Sequence, residues 1–306
     1  MKTISISLFS ILLVVSGGFL QAASCAFISG AQPLNPKKDI NYEVYGQQNK
    51  EAIVLIHGLD GSMRSFDTIK NILAQRYKVI MYDQRGHGNT KAEGEAYNTV
   101  TMANDLGALL DFLNIDKVRI LGHSMGGRTA IKFASLHPKR VKALVVEDMD
   151  LEIKEDTSQK AFDEYIEMAR KVRQEFKDST FRTSAQIEKA LKPYFEEEAK
   201  DRSQFVIAQP DGTLALQFRP DVSLLYYYLP YIEDLNEAFR KIECPILFLR
   251  ADTNHNWSAM SDEGVRKIEA TGKARVKVVP WANHSIHAES TVEFLNEVLP
   301  FLEKSK

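Results

Sequence analysis

Hydrophobic and polar positions along residues 39–150 repeat in a regular order. Asp39–Tyr45 alternates like an exposed strand, and short apolar runs predict buried strands at Ala52–Ile56, Tyr77–Tyr82, Val118–Leu121 and Val141–Val146. Segments with helical spacing lie between them at Ser65–Gln75, Thr101–Asn114 and Gly127–Leu136. Buried strands that alternate with helices pair in parallel and carry helices on both faces. This half of the chain therefore predicts an α/β fold with a mostly parallel central sheet flanked by helices.

The pattern changes between residues 151 and 240, where helical spacing continues without buried strands. One predicted helix has an apolar face made of Phe162, Tyr165, Ile166, Ala169, Val172 and Phe176. Strands and helices alternate again from Pro245–Leu249 to Thr291–Leu302. We therefore predict one core in two parts, residues 25–150 and 241–306, separated by a helical lid insertion over residues 151–240.

The first 24 residues have the layout of a secretory signal peptide and are set apart from the fold. Lys2 precedes an apolar run from Ile4 to Val15, and small residues follow the break at Gly17 and Gly18. A membrane anchor is the alternative, but the run is short and contains serines, whereas a spanning helix needs about 20 apolar residues. We expect export, either to a periplasm or out of the cell.

Cys25 raises the question of a lipid anchor. It follows Ala22-Ala23-Ser24 and is similar to the lipid-modified cysteine of bacterial lipoproteins, although Ala22 stands where those proteins usually have leucine. Ordinary cleavage near Ala22 or Ala23 is an equal alternative. A lipid anchor would be the only membrane contact that we expect. Cys244 is the other cysteine, and two cysteines do not make a disulfide scaffold.

Composition and charge exclude several classes of protein. The 306 residues are 44% hydrophobic and 26% charged, which is typical of a globular protein. The formal net charge of −2 at pH 7 lacks the basic excess of a nucleic-acid-binding surface. The segment that starts at Asp252 superficially resembles a calcium loop, but Trp257 stands where that loop requires glycine. We therefore expect no nucleic acid, no metal and no organic cofactor.

The stretch ILGHSMGGRT, residues 120–129, carries the first chemical signal. Gly122 and Gly126 flank Ser124 at a predicted junction of strand and helix, which is the arrangement of a nucleophile elbow. Such a turn is tight, so the neighbouring residues must be small. The N-terminus of the following helix favours a developing negative charge at the hydroxyl. We predict that Ser124 is a nucleophile; an incidental serine in a glycine-rich turn is the alternative.

A serine nucleophile needs a base, and the chain has seven histidines. His284 follows a predicted strand and precedes the last helix, so its loop can reach the carboxyl edge of the sheet. We predict His284 as the base, with its neighbour His287 as the second choice. His123 directly precedes Ser124, so its side chain should point away from the serine.

Backbone N–H groups near Ser124 can complete an oxyanion hole. The strand Ala52–Ile56 ends at His57-Gly58, and the glycine lets the next N–H turn inward. We predict that the N–H groups of Leu59 and Met125 bind the oxyanion. The loss of one such donor typically costs on the order of 100–1000-fold in turnover. A plain turn at the end of the strand is the alternative for His57-Gly58.

Together these motifs resemble the α/β-hydrolase family of the Ser-His-acid type. The matching segments are His57-Gly58, YDQRGHGNT, GHSMGG, PILFLRAD and NHSIHAES, in the order that the family has them and across nearly all of the mature chain. The resemblance implies the α/β-hydrolase fold and hydrolytic chemistry, and it leaves the substrate open. It also implies that Asp83 and Arg85 organise a loop through hydrogen bonds and take no part in catalysis.

The resemblance gives two places for the catalytic acid. Many relatives carry an aspartate after the strand that follows the insertion, but the matching position here is Asn254. Other relatives carry it at the end of the strand after the nucleophile helix, where this chain has Asp148. We therefore predict Asp148 as the acid and Asp252 as the alternative, with Glu147 and Asp150 as further candidates.

The predicted activity is cleavage of a carboxylic ester by Ser124, His284 and Asp148 through an acyl-enzyme. Tyr226-Tyr227-Tyr228-Leu229 and other apolar residues of the insertion suggest a small-molecule ester with an apolar acyl or alkyl part, although they suit the core of a lid equally well. Hydrolysis of amides, peptides or carbon–carbon bonds on the same fold is an alternative. A catalytically silent binding module is another, but such a module has no need of a serine, a histidine and an acid together.

Overall fold

A seven-stranded sheet lies at the centre of the protein. The computed structural model describes residues 32–90, 97–151, 159–177, 179–224, 233–254 and 258–305. The strands are β1 (Tyr42–Tyr45), β2 (Ala52–Ile56), β3 (Lys78–Tyr82), β4 (Val118–His123), β5 (Val141–Glu147), β8 (Ile246–Arg250) and β9 (Ala274–Val278). Their order in the sheet is β1-β3-β2-β4-β5-β8-β9, and all neighbours are parallel except β1 and β3. This confirms the predicted α/β class with a mostly parallel sheet.

Helices cover both faces of this sheet. The helices of the core span Lys70–Leu73, Thr99–Phe112, Met125–Leu136, Asn236–Arg240, Asp262–Ala270, Ile286–Glu289 and Thr291–Lys304. Side chains of β2 alternate between two apolar layers: Val54 and Ile56 pack with Phe133, whereas Ile53 and Leu55 pack with Phe294. Because both faces are buried, β2 is apolar at every position, as expected for a central parallel strand.

The chain between β5 and β8 builds a smaller unit beside the sheet. Its helices span Gln159–Lys177, Ser184–Phe195 and Ala199–Arg202, and its hairpin pairs β6 (Val206–Ala208) with β7 (Leu214–Leu216). The unit has an apolar cluster of its own, which includes Val172, Ile187 and Leu191. A capping box begins the helix Ser184–Phe195: the Thr183 hydroxyl accepts the N–H of Gln186, and the Gln186 side chain accepts the N–H of Thr183. The bounds 151–240 and the role of a lid stay predictions.

Some elements differ from those that the pattern predicts. The helix expected at Ser65–Gln75 is split into a 3₁₀ turn at Met63–Phe66 and a short helix at Lys70–Leu73. The split follows from hydrogen bonding, because the carboxylate of Asp83 accepts the N–H of Met63 at 2.8 Å and fixes the 3₁₀ turn against the sheet. The apolar pattern of the segment reports burial but does not distinguish one continuous helix from two short turns.

The N-terminal predictions lie outside the described residues. These are the signal peptide over residues 1–24 and the lipid-anchor candidate Cys25. Within the described ranges, no helix has the length and apolarity that crossing a bilayer requires. Cys244 is a free thiol in the structure, and burial raises its pKa to about 12.

Candidate active site

Ser124 occupies a strained turn between β4 and the helix Met125–Leu136. Its φ of 49° and ψ of −117° fall in a region that residues with a side chain rarely adopt. Two hydrogen bonds of 2.8 Å hold this conformation, one from the Ser124 N–H to the carbonyl of Glu147 and one from the Gly127 N–H to the carbonyl of Ser124. The turn therefore presents the serine hydroxyl at the carboxyl end of the sheet, as expected of a nucleophile elbow.

Three glycines make this turn possible. A Cβ atom at Gly126 would overlap the carbonyl oxygen of Ile56, and one at Gly122 would overlap the carbonyl oxygen of Gly126. A Cβ atom at Gly58 would lie 2.7 Å from Nδ1 of His123. The two glycines beside Ser124 thus reflect close backbone packing, and Gly58 makes room for the ring of His123.

His284 and Asp148 lie together at the same edge of the sheet. Nδ1 of His284 is 2.7 Å from Oδ2 of Asp148. Because a carboxylate oxygen only accepts, Nδ1 carries the hydrogen, which leaves Nε2 as the ring nitrogen that can take up a proton in catalysis. The Asp148 side chain is fully buried, whereas that of His284 is 25% exposed.

Asp148 is held as a carboxylate by donors from three segments. Burial raises its pKa, but hydrogen bonds from His284, the Ser258 hydroxyl and the N–H groups of Ala251 and Ala259 outweigh that effect and hold its pKa below the ordinary value. Both N–H bonds are 2.9 Å long. The sequence did not indicate Ser258, because a serine in an irregular loop gives no signal of its own.

The other acid candidates make different contacts. The carboxylate of Asp252 accepts the N–H groups of Asn254 and Trp281, both at 3.0 Å. Asp150 accepts the hydroxyl and N–H of Ser261 at 2.7 and 3.2 Å, next to the start of the helix Asp262–Ala270. Glu147 pairs with His287, the second choice for the base. The second choice for the base is thus the partner of Glu147, one of the further acid candidates.

Burial weakens the basicity of four of the six described histidines. Burial lowers the pKa of His87 and of His123 to about 3, and it also lowers the pKa of His57 and His137. His255 lies outside the described residues. His123 points away from the elbow, and its Nε2 lies 3.0 Å from the carbonyl oxygen of His284.

The two residues predicted to bind the oxyanion lie on different elements: Leu59 is in the loop after β2, and Met125 begins the helix that follows Ser124. His57 is fixed by Gln84, whose N–H donates to Nε2 at 2.9 Å and whose side-chain amide donates to the His57 carbonyl at 2.8 Å. Across the described ranges, the N–H groups of Leu59 and Met125 donate to no other backbone group. The Leu59 side chain packs against a buried cluster that contains Met125.

A buried ion pair that the sequence did not indicate links this loop to the smaller unit. Asp60, with φ 59°, follows Leu59 and forms an ion pair with Arg202. The Ser223 hydroxyl donates to Asp60 at 3.1 Å and accepts from Arg202 at 2.8 Å. Both charged side chains are less than a tenth exposed. Single charged residues 142 positions apart cannot be matched from sequence alone.

The loop over Asp83–Thr90 is organised by hydrogen bonds, as the resemblance implies. The carboxylate of Asp83 accepts the N–H of Met63 and of Asn89, both at 2.8 Å, and Arg85 forms a buried ion pair with Asp105. In the described part of the chain, no group of three or more His, Cys, Asp or Glu side chains could hold a metal ion. The calcium-like segment after Asp252 lies partly outside that part.

The sequence pattern of the alpha/beta hydrolase fold family matches residues 51–291, which is most of the chain. The chain belongs to this family. The sn-1-specific diacylglycerol lipase ABHD11 of Xenopus laevis is 32% identical over 87% of this chain and 85% of its own length. The esterase YbfF of Escherichia coli K12 is 27% identical over 84% of this chain and 94% of its own.

Solved structures agree with the family assignment. A marine microorganism esterase is 26% identical to this α/β hydrolase, with a TM-score of 0.67 over 86% of this chain and 99% of that one. The crystal structure of E-2-(acetamidomethylene)succinate hydrolase also has a TM-score of 0.67, over 89% of this chain and 98% of that one, at 20% identity. At that identity the likeness shows the fold alone.

Proposed function

We propose that this α/β hydrolase cleaves carboxylic esters of small molecules through an acyl-enzyme on Ser124. The observation that carries the proposal is the 2.7 Å contact between His284 and the buried carboxylate of Asp148, at the sheet edge where the strained turn of Ser124 lies. The names of the relatives, a diacylglycerol lipase and esterases, support an ester as the bond that is cleaved.

In the proposed reaction, the Ser124 hydroxyl attacks the ester carbonyl while Nε2 of His284 takes its proton. The carbonyl oxygen becomes an oxyanion, which the N–H groups of Leu59 and Met125 stabilise. The intermediate collapses, the alcohol leaves with the proton from His284, and the acyl group stays on Ser124. A water molecule then attacks in the same way and releases the acid, which restores the free serine.

Asp148 has two tasks in this scheme. It accepts the Nδ1 hydrogen of His284, which leaves Nε2 as the nitrogen that takes the proton of Ser124. It also stabilises the imidazolium that forms when the serine proton is transferred. The lowered pKa of Asp148 supports both tasks, because the hydrogen bonds that lower it favour the ionised carboxylate.

The apolar cluster beside the elbow supports a substrate with an apolar acyl or alkyl part. Tyr97, Met102, Met125 and Val222 form this cluster, and Leu59 packs against it. We further propose that the enzyme is exported, either free or anchored by a lipid on Cys25. The support for export is the composition of residues 1–24.

A p-nitrophenyl ester series from acetate to long acyl chains tests the activity, with Ser124→Ala as the matched inactive variant. Serine-dependent turnover is the expected result, and the preferred chain length measures the acyl site. A fluorophosphonate probe separates the alternatives if no ester reacts. Labelling at Ser124 would then favour an amide or carbon–carbon substrate, whereas a folded protein that does not label is a binding module.

A further inference from the structure

Two consecutive carboxylates at the end of β5 hold two histidines that are three residues apart. Asp148 accepts from Nδ1 of His284, and Glu147 lies 2.8 and 2.9 Å from Nδ1 of His287 through its two oxygens. The backbone N–H of His287 also donates to Glu147 at 2.9 Å. Glu147 therefore fixes both the ring and the backbone at the start of the helix Ile286–Glu289.

The Glu147–His287 pair is buried more deeply than the Asp148–His284 pair. Its side chains are 0% and 1% exposed, against 25% for His284. The ring of Phe66 lies 4.5 Å from that of His287, and the ring of Phe294 lies 6.1 Å from it. Nε2 of His287 has no hydrogen-bond partner among the described residues. A pair enclosed in this way cannot exchange protons with a substrate, so its place in the enzyme needs another explanation.

His123 connects the two pairs. Its ring lies 4.6 Å from the ring of His284 and 5.3 Å from that of His287. Because a carbonyl oxygen only accepts, the 3.0 Å contact of Nε2 with the His284 carbonyl requires the hydrogen on Nε2. Burial lowers the pKa of His123 to about 3, so the ring is neutral and keeps this donor at neutral pH.

Few titratable groups surround the two carboxylate–histidine pairs. Glu147 is influenced by His287 and His123. His284 faces Asp148 and His123. Burial raises the pKa of Glu147, but the two histidines and the hydrogen bonds from His287 outweigh it and hold the pKa below the ordinary 4.5. A carboxylate that is ionised and enclosed depends on every donor that it has, so the pair resists rearrangement.

We propose that Glu147, His287 and His123 are positioning residues for the base His284. Glu147 fixes the turn that follows His284, and His123 fixes the carbonyl of His284 itself. Together they keep the imidazole ring in line with Asp148 and Ser124 during proton transfer. The inference rests on the proposed function only in naming His284 as the base. A displacement of about 1 Å at such a group can cost on the order of 100-fold in rate.

The test compares isosteric variants of the full-length enzyme. Glu147→Gln removes the buried charge, and Glu51→Gln makes the same change at the opposite end of the sheet, where Glu51 binds Arg119 and Lys142. We expect Glu147→Gln to lower kcat about 10- to 100-fold with an unchanged KM, and Glu51→Gln to leave kcat unchanged. His287→Asn retains a donor near the position of Nδ1, so it should keep more activity than His287→Leu.

A second readout needs no substrate. The downfield proton resonance of the His284–Asp148 hydrogen bond should shift or broaden in Glu147→Gln and stay unchanged in Glu51→Gln. The inference is overturned if folded Glu147→Gln keeps wild-type kcat and an unchanged resonance. If Glu147→Gln does not fold, equal kcat values for His287→Asn and His287→Leu overturn it. If the wild type cleaves no ester, the proposed function fails, while the resonance still decides this inference.

Discussion

Replacing Asp148 by asparagine tests the proposed chemistry most directly, because every group that binds this carboxylate is a donor. Oδ1 accepts the N–H of Ala251 at 2.9 Å and the hydroxyl of Ser258. Oδ2 accepts the N–H of Ala259 at 2.9 Å and Nδ1 of His284 at 2.7 Å. Asparagine offers one oxygen and one NH₂ group, so in either orientation its NH₂ group faces two donors.

Each orientation has a measurable consequence. If the NH₂ group faces His284, the ring must present an unprotonated Nδ1, and Nε2 then carries the hydrogen and cannot take the proton of Ser124. We expect kcat to fall about 10⁴-fold, with KM close to that of the wild type. In either orientation a buried N–H, that of Ala259 or that of Ala251, loses its acceptor, and the free energy of unfolding falls by about 1–3 kcal/mol.

The assay is ester hydrolysis by Asp148→Asn beside the matched variant Asp252→Asn. Asp252 accepts backbone N–H groups of Asn254 and Trp281 and so braces the loop that leads to His284. We expect its variant to lose less than about tenfold in kcat, as is usual for a change outside the reacting groups. Near-normal turnover in Asp148→Asn together with loss of turnover in Asp252→Asn would refute the assignment of the acid.

Further variants test the nucleophile elbow, the Asp60–Arg202 ion pair and the free energy of unfolding at acidic pH. Gly126→Ala should lose turnover and show a lower melting temperature, because its Cβ would overlap the Ile56 carbonyl; a wild-type melting temperature would contradict this packing. Asp60→Asn should lower kcat through the oxyanion loop, and a double-mutant cycle with Arg202→Met should show coupling, whereas additive effects would speak against it. Asp148 has a lowered pKa, so its contribution to stability is complete above its ordinary pKa of 3.8 and is lost as the pH falls through its lower folded value. Chemical denaturation across this range should therefore show the stability gap between wild type and Asp148→Asn closing on acidification, and a gap that stays constant would contradict the shift.

The order of strands and helices could be predicted from the sequence because burial leaves a periodic pattern. The central strand β2 is apolar at every position, and the glycines around Ser124 follow from close backbone approach, which few other residues tolerate. The positions of Ser124, His284 and Asp148 at strand ends follow from the rule that parallel strands bring their carboxyl ends to one edge. The order of the strands along the sequence is therefore enough to predict that these three residues meet at one edge of the sheet.

Contacts between distant polar residues could not be predicted in the same way. Ser258 and Asp60 lie in irregular loops, and each finds its partner, Asp148 or Arg202, more than 100 positions away in the sequence. The pairing of Glu147 with His287 could not be predicted either, because the sequence offers Glu147 only as a further acid candidate and His287 only as the second choice for the base. A buried charge gives no signal in sequence until its partner is known.

The pairing of β5 with β8 has a consequence for when the active site can form during synthesis of the chain. Asp148 lies just after β5, and its backbone N–H donates to the Leu249 carbonyl at 2.8 Å, while its carboxylate depends on Ala251 and Ala259. His284 comes later still. A growing chain that already contains Ser124 and the whole smaller unit therefore has no working acid or base. The active site can therefore form only after the last quarter of the chain has been synthesised. A product that is truncated before His284 should be inert towards esters.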